Sequence, residues 1–312
     1  MDWRRSLFLA EHRTHQAGRA RSAAALSDAK RRANRNRGNM TTKLQTTSGA
    51  VVRSSDWLDV RRPYYSDEWV TIYHGDNREI MPRLGQYDAV ITSPPYNMRT
   101  RIRNGQYTER ETGEHFSKKY AGYHDALPVD EYYDFQNEVL TLALQRAPMA
   151  FWNVQIVTGC KEAWFGLMGT WRKHLKDIII WDKGNGQPSM HGSVINRGHE
   201  LIMCFEAQET GGRAFATSYF ERGTMQDIWR LGRGGSGDVE GNTAIFPLDL
   251  PLKIMAGWTR PGDAILDPHG GSGTTARAAK DIGRKCTMIE LDEKLCESAA
   301  RRMSQEALSL GS

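Results

Sequence analysis

The stretch Asp263-Ala264-Ile265-Leu266-Asp267-Pro268-His269-Gly270-Gly271-Ser272-Gly273-Thr274-Thr275 decides the fold. It reads as a short apolar strand, a glycine turn and the first turn of a helix. In that order a cofactor can lie against backbone, because glycine has no Cβ to hold it away. The strand end and the helix N-terminus supply N–H donors. A phosphate-binding loop would carry lysine after its last glycine. Here Gly273 is followed by Thr274, which excludes an NTP site of that kind. A glycine turn without a ligand is the plain alternative. Glu290 follows the apolar stretch 286–289, 23 residues beyond Asp267. A carboxylate at that distance and at a strand end is placed to accept from ribose hydroxyls. The plain alternative is a surface glutamate ahead of a helix, whose N-terminus Asp292 and Glu293 would also favour.

Upstream, strands and helices alternate. Strands are predicted over 68–74, 87–92, 150–156, 177–181, 201–205, 263–266 and 286–289, and helices over 130–146, 247–258, 274–282 and 293–308. The fold class is therefore α/β, a mostly parallel central sheet with helices on both faces. Segments 97–128, 183–198 and 207–245 break the rhythm. Loops longer than about 12–15 residues in a compact domain usually carry function. The folded domain is expected over 68–308, with 207–245 as the candidate target-recognition insertion.

Residues 1–49 lack a sustained apolar period and read as a disordered basic tail. Three explanations compete: a nucleic-acid-binding arm, a transit-type presequence, or translation that begins at Met40. Residues 1–39 hold ten Lys/Arg against three acids, so they carry +7 of a total of +5 and leave the rest at −2. The folded body must then attract a polyanion through local patches. Cys160, Cys204, Cys286 and Cys296 are scattered and form no C-x-x-C, so neither a metal site nor a disulfide framework is expected. No apolar run reaches the ~18 residues of a membrane span, and a cytoplasmic setting is the expectation.

A second chemical signal is Ser93-Pro94-Pro95-Tyr96, directly after the strand at 87–92. Two prolines fix φ and remove two N–H donors, leaving rigidly aimed carbonyls. Methylating an exocyclic amine needs acceptors for its hydrogens, and Ser93 Oγ and the Pro94 carbonyl are the candidates. Tyr96 is placed to stack on a ring. A base inside a duplex cannot reach such a pocket, so flipping is implied. Pro-Pro-Tyr also occurs in ordinary polyproline turns. Its position at a strand's C-terminal end, where open α/β sheets bind ligands, is what favours the functional reading.

Together and in this order, the two segments resemble the β-class S-adenosylmethionine-dependent DNA amino-methyltransferases, over roughly residues 70–305. The resemblance implies a Rossmann-like methyltransferase fold with circularly permuted motif order. It also implies S-adenosyl-L-methionine as cofactor. Ser93, Pro94, Pro95 and Tyr96 correspond to the catalytic motif. Gly75-Asp76 resembles the family's adenine contact, and Phe246 begins the segment that closes over the methionine end. The family's glycine loop falls on Asp267, His269, Gly270, Gly271, Ser272, Gly273 and Thr274, and its ribose carboxylate on Glu290. One residue departs from the pattern. His269 stands where the family usually has Phe, which introduces a ring titrating near pH 6.5. Protonated, it would weaken binding of a cationic sulfonium. His199-Glu200 is no metalloprotease helix, since position 203 is Met203, and a structural role is expected for the pair.

The implied substrate is double-stranded DNA, with the methyl group placed on cytosine N4 rather than adenine N6. That preference comes from Ser93, because the family's aspartate version is commoner among adenine enzymes. Arg99, Arg101 and Arg103 alternate directly after the clamp and could follow a phosphate backbone. Lys183, Arg230 and Arg233 are further DNA-contact candidates, and a solvated loop is the plain alternative. A cognate restriction endonuclease would be a natural companion, and monomer and homodimer both stay open. The competing readings are an adenine N6 enzyme, an inactive DNA-binding relative, and a methyltransferase for RNA or a protein glutamine.

Overall fold

A computed structural model of the protein describes residues 62–97, 100–103, 106–109, 127–157, 160–184, 193, 195–209, 211–232 and 246–305. The tail 1–49 with its Met40 alternative, Arg99 and Arg233 lie outside the described residues, as do the side chains of Arg101 and Arg103.

The strands are β1 (Tyr65–Ser66), β2 (Val70–His74), β3 (Ala89–Thr92), β4 (Thr100–Arg103), β5 (Gln106–Glu109), β6 (Met149–Val154), β7 (Leu175–Asp182), β8 (His199–Glu206), β9 (Ile228–Arg230), β10 (Ala264–Asp267) and β11 (Lys285–Glu290). The helices are α1 (Asn77–Ile80), α2 (Val129–Arg146), α3 (Lys161–Thr170), α4 (Asp249–Trp258), α5 (Thr274–Asp281) and α6 (Glu293–Ser304). Nine strands form one sheet in the order β1-β2-β11-β10-β3-β6-β8-β7-β9, and β4 and β5 form a separate hairpin. The run β2-β11-β10-β3-β6 is parallel throughout. β8 runs antiparallel to both its neighbours, β6 and β7, and β9 returns parallel to β7.

Alternation of side chains along each strand feeds two cores, one per face. Ala89 and Ile91 of β3 and Phe151 of β6 pack with Ile254 of α4, Ala276 of α5 and Ala299 of α6. Val90 of β3 and Trp152 of β6 point the other way, to Val139 of α2 and Trp164 and Leu167 of α3. The continuous apolar runs of β3 and β6 are buried along their whole length, as a strand covered on both faces must be.

One expectation changes. Segment 207–245 does not leave the sheet as a free insertion over its described part. Phe215 and Phe220 ring Trp258 of α4, with centroids 5.2 Å away in each case, and β9 extends the sheet. The turn after β8 is pinned from below. Lys176 Nζ lies 3.4 Å from Glu206 Oε2, with side chains only 3% and 2% exposed. Lys176 also donates to the Gly212 carbonyl, and the Ala216 N–H donates to Glu206 Oε1. Among the described residues of this segment, Arg230 stays exposed.

Candidate active site

The parallel strands β2, β11, β10 and β3 all end at one edge, and the functional segments leave from those ends. Backbone bonds join them there. Gly75 N–H donates to the Glu290 carbonyl and Gly270 N–H to the Ile289 carbonyl, each at 2.9 Å. Between them lies a cavity of about 530 Å³ lined from all four strand ends. That is a usual size for a small-molecule site.

The glycine loop forms its floor. A Cβ on Gly270 would stand 2.8 Å from Met288 Cβ, so only glycine lets the loop sit directly on β11. Gly271 has φ +52, with open space where a Cβ would point. Its N–H donates to Glu290 Oε2 at 2.7 Å, and the Asp292 N–H donates to Oε1 at 2.9 Å. Each carboxylate oxygen keeps a lone pair for a ligand hydroxyl. Burial raises the Glu290 pKa, against the pull of those two N–H bonds. Asp76 caps α1 by accepting from the Arg78 N–H and pairs with the Arg78 guanidinium at 2.6 Å. Burial works to raise its pKa, but the Arg78 contacts win and hold it below the usual carboxylate range.

Of the cofactor residues expected from sequence, Asp76, Phe246, His269, Gly270, Gly271, Ser272, Thr274 and Glu290 line this cavity. Asp267 and Gly273 lie behind it. Asp267 is 1% exposed and accepts from Thr92 Oγ1 at 2.7 Å and from the His269 N–H at 3.1 Å. It ties β10 to β3, and burial raises its pKa to about 6. Gly273, at φ +80, starts α5 and packs on Ala299.

His269 also differs from expectation. Its ring sits edge-on to Phe135 and Trp152, with centroids at 5.9 and 6.3 Å. Burial lowers its pKa to about 3, with the nearby Asp76 charge opposing only in part. The Asn77 amide nitrogen lies 3.3 and 3.5 Å from the two ring nitrogens. An amide N–H can serve only a ring nitrogen that carries no proton. Burial and the Asn77 donor both favour the neutral ring, which argues against the charge switch its sequence position suggested.

Ser93, Pro94, Pro95 and Tyr96 line the same cavity on the β3 side. Tyr132 of α2, fully buried, donates to the Pro95 carbonyl at 2.7 Å. That bond occupies one carbonyl of the double proline and locks the turn. The residue after the motif, Asn97, adopts φ 50 and is fully buried. Its side chain donates to the Leu127 carbonyl at 3.0 Å and accepts from the Leu127 N–H at 2.7 Å.

Beneath the motif lies a polar group that sequence did not assemble. Tyr96 OH donates to Glu200 Oε2 at 2.9 Å and lies 3.2 Å from Ser93 Oγ. Asn153 Nδ2 donates to the same Glu200 oxygen at 2.8 Å. Lys183 Nζ donates to Glu200 Oε1 at 3.1 Å, with side chains 12% and 8% exposed. Lys183, expected to meet DNA, therefore faces inward. Sequence singled out the His199-Glu200 pair and Lys183 separately, with nothing to join them. Arg230 does remain open, 87% exposed and 3.5 Å from Asp182.

The sequence pattern of the DNA methylase family, the N6/N4 methyltransferases, matches residues 87–301. The chain belongs to this family. It is an S-adenosylmethionine-dependent DNA methyltransferase. The Type II methyltransferase M.ScaI of Streptomyces caespitosus is 25% identical over 287 residues, 80% of this chain and 86% of that one. M.HinfI of Haemophilus influenzae is 24% identical over 251 residues, 75% of this chain and 68% of that one. In fold, the chain is similar to the cytosine-N4-specific PvuII DNA methyltransferase. The TM-score is 0.60 at 17% identity, covering 79% of this methylase and 90% of that chain. No helix among the described residues of the methylase is long and apolar enough to cross a membrane.

Proposed function

We propose that this methylase transfers the methyl group to the exocyclic amine of a flipped base in DNA, cytosine N4 in preference to adenine N6. The observation that carries the reading is one cavity lined both by the glycine loop and by Ser93–Tyr96. Amine acceptors and cofactor floor thus face the same space.

The residues present suit S-adenosylmethionine. Asp76 and Glu290 are joined around the cavity by Glu131, Asp134 and Glu138, against one guanidinium, that of Arg78, among the described residues. Such a wall favours a cation. Asn77 Oδ1 is buried there without a hydrogen-bond partner among the described residues, and an adenosine amine or hydroxyl would satisfy it. Glu290 would hold the ribose, Gly271 would let the ligand lie on backbone, and Phe246 would cover it. Bound there, S-adenosylmethionine supplies an electrophilic methyl group. The chain's task is to prepare the amine. With the Pro95 carbonyl taken by Tyr132, Ser93 Oγ and the Pro94 carbonyl remain to accept the two amine hydrogens. Those bonds draw the nitrogen away from planarity and free its lone pair.

Support for cytosine is comparative. Ser93 as a neutral acceptor would serve either amine, but the family's aspartate version is commoner among adenine enzymes, and the PvuII enzyme of similar fold is cytosine-N4-specific. Labelled S-adenosylmethionine and unmethylated genomic DNA, digested to nucleosides and weighed by mass spectrometry, should yield N4-methyldeoxycytidine. N6-methyldeoxyadenosine would overturn the choice of base, and no methylated nucleoside would sink the whole reading. Ser93→Ala should slow turnover by about 10²-fold, the usual cost of one lost hydrogen bond to a reacting group.

A further inference from the structure

We propose that Glu200, held by Lys183, fixes the hydrogen-bond polarity of Ser93 and Tyr96 and is the end point for the proton the amine must lose. The inference rests on the amine-methylating role of this cavity and deepens it. Sequence had favoured a structural over a catalytic part for the glutamate.

The directions follow from donor chemistry. A glutamate carboxylate can only accept. Tyr96 OH spends its single proton on Glu200 Oε2 at 2.9 Å. In the Ser93–Tyr96 contact of 3.2 Å, Ser93 must then be the donor. That leaves the Ser93 lone pairs for the substrate amine, the orientation an acceptor of N–H requires. Asn153 Nδ2, also 3.4 Å from Ser93 Oγ, can only donate and works in the same sense. A neutral amide at position 200 could turn this wire around, whereas a carboxylate cannot.

Methylation leaves the amine nitrogen with one proton too many. The N–H bond breaks with its electron pair staying on nitrogen, and the proton passes to Ser93 Oγ. Ser93 releases its own proton to Tyr96, and Tyr96 releases its own to Glu200 Oε2. The net change is one proton moved from nitrogen to carboxylate, which returns it to solvent before the next turnover. Lys183 Nζ, 3.1 Å from Oε1, sets a positive charge beside the resting carboxylate. Among the described residues, Lys183, just after β7, and Tyr96, in the β3 turn, are the titratable groups in contact with Glu200, and Asn153 of β6 adds an uncharged donor. Burying an ion pair costs several kcal/mol of desolvation. β7 and β8 are already joined over seven residue pairs, so their register does not depend on this one.

The test compares Glu200→Gln, Glu200→Asp and Tyr96→Phe in the full chain. Readouts are the single-turnover rate, KM for DNA, S-adenosylmethionine affinity and Tm. Glu200→Gln should lower the rate by about 10²-fold or more, as loss of a positioned base does, while KM and cofactor affinity stay within about threefold. Glu200→Asp should recover part of that rate. Tyr96→Phe keeps the ring and the ion pair but cuts the wire, so it should slow the reaction even if Glu200→Gln does not fold. Full rate in either Glu200→Gln or Tyr96→Phe overturns the proposal. Losses confined to Tm and KM overturn it equally, since a merely structural pair would give them. Wild-type protein that methylates no DNA would instead remove the reading on which the proposal rests.

Discussion

Residue by residue, the loop after β10 combines two opposite perturbations within three positions. Burial holds the His269 pKa at about 3 and raises that of Asp267 to about 6. The signs separate them. The folded His269 resists protonation, so its contribution is complete above pH 6.5 and is lost as pH falls from 6.5 toward 3. The folded Asp267 holds a proton that the unfolded chain releases, so its contribution is complete below 3.8 and is lost as pH rises from 3.8 to 6. His269→Phe should therefore change the slope on the acid side. Relative to wild type, its stability should grow as pH drops from 6.5 to 4.5, by up to about 1.4 kcal/mol per pH unit. Urea midpoints at pH 7.5, 6 and 4.5 read this directly. Cofactor affinity should keep its pH profile in His269→Phe, because the ring is neutral in both the wild-type site and the usual family version. Any change near pH 6 should vanish instead in Asp267→Asn, measured by equilibrium binding of labelled S-adenosylmethionine.

Strands and helices were legible wherever one period dominated. The apolar runs of β3, β10 and β11 and the spacing of α2 announced themselves, and the glycine loop was visible because its chemistry is contiguous. α3 escaped notice. Gly166 and Gly169 interrupt its pattern, yet Trp164 and Leu167 are buried and hold it to α2. β9 was missed because three residues with exposed ends carry no period. The Glu200 network was invisible for a different reason. Its members come from β3, β6, β7 and β8, and only strand order brings them together. Within the loop, Gly270 is the position where element packing leaves least room. Gly270→Ala should destabilise the protein by about 1–3 kcal/mol, the usual cost of overpacking, with cofactor affinity falling alongside. Chemical denaturation beside a binding titration checks both.

For the molecule as a whole, one edge of the sheet carries the cavity lined by the glycine loop and the Ser-Pro-Pro-Tyr turn, while the opposite end of β7 and β8 holds the buried Lys176–Glu206 pair. Lys176→Met should cost about 3–5 kcal/mol, since it leaves a buried carboxylate without its cation. Adding Glu206→Leu should recover part of that loss, which a double-mutant cycle on thermal unfolding would register. The clasp between Asn97 and Leu127 has a wider reach. Its two hydrogen bonds bring the chain back to its starting point across 30 positions. The cost of closing a loop rises only about 0.6 kcal/mol for each doubling of its length. What lies between the ends can therefore lengthen, shorten or be exchanged while the Ser-Pro-Pro-Tyr turn keeps its place. The clasp is in that sense a buckle: it fixes where the strap leaves and returns, and leaves the strap's length free.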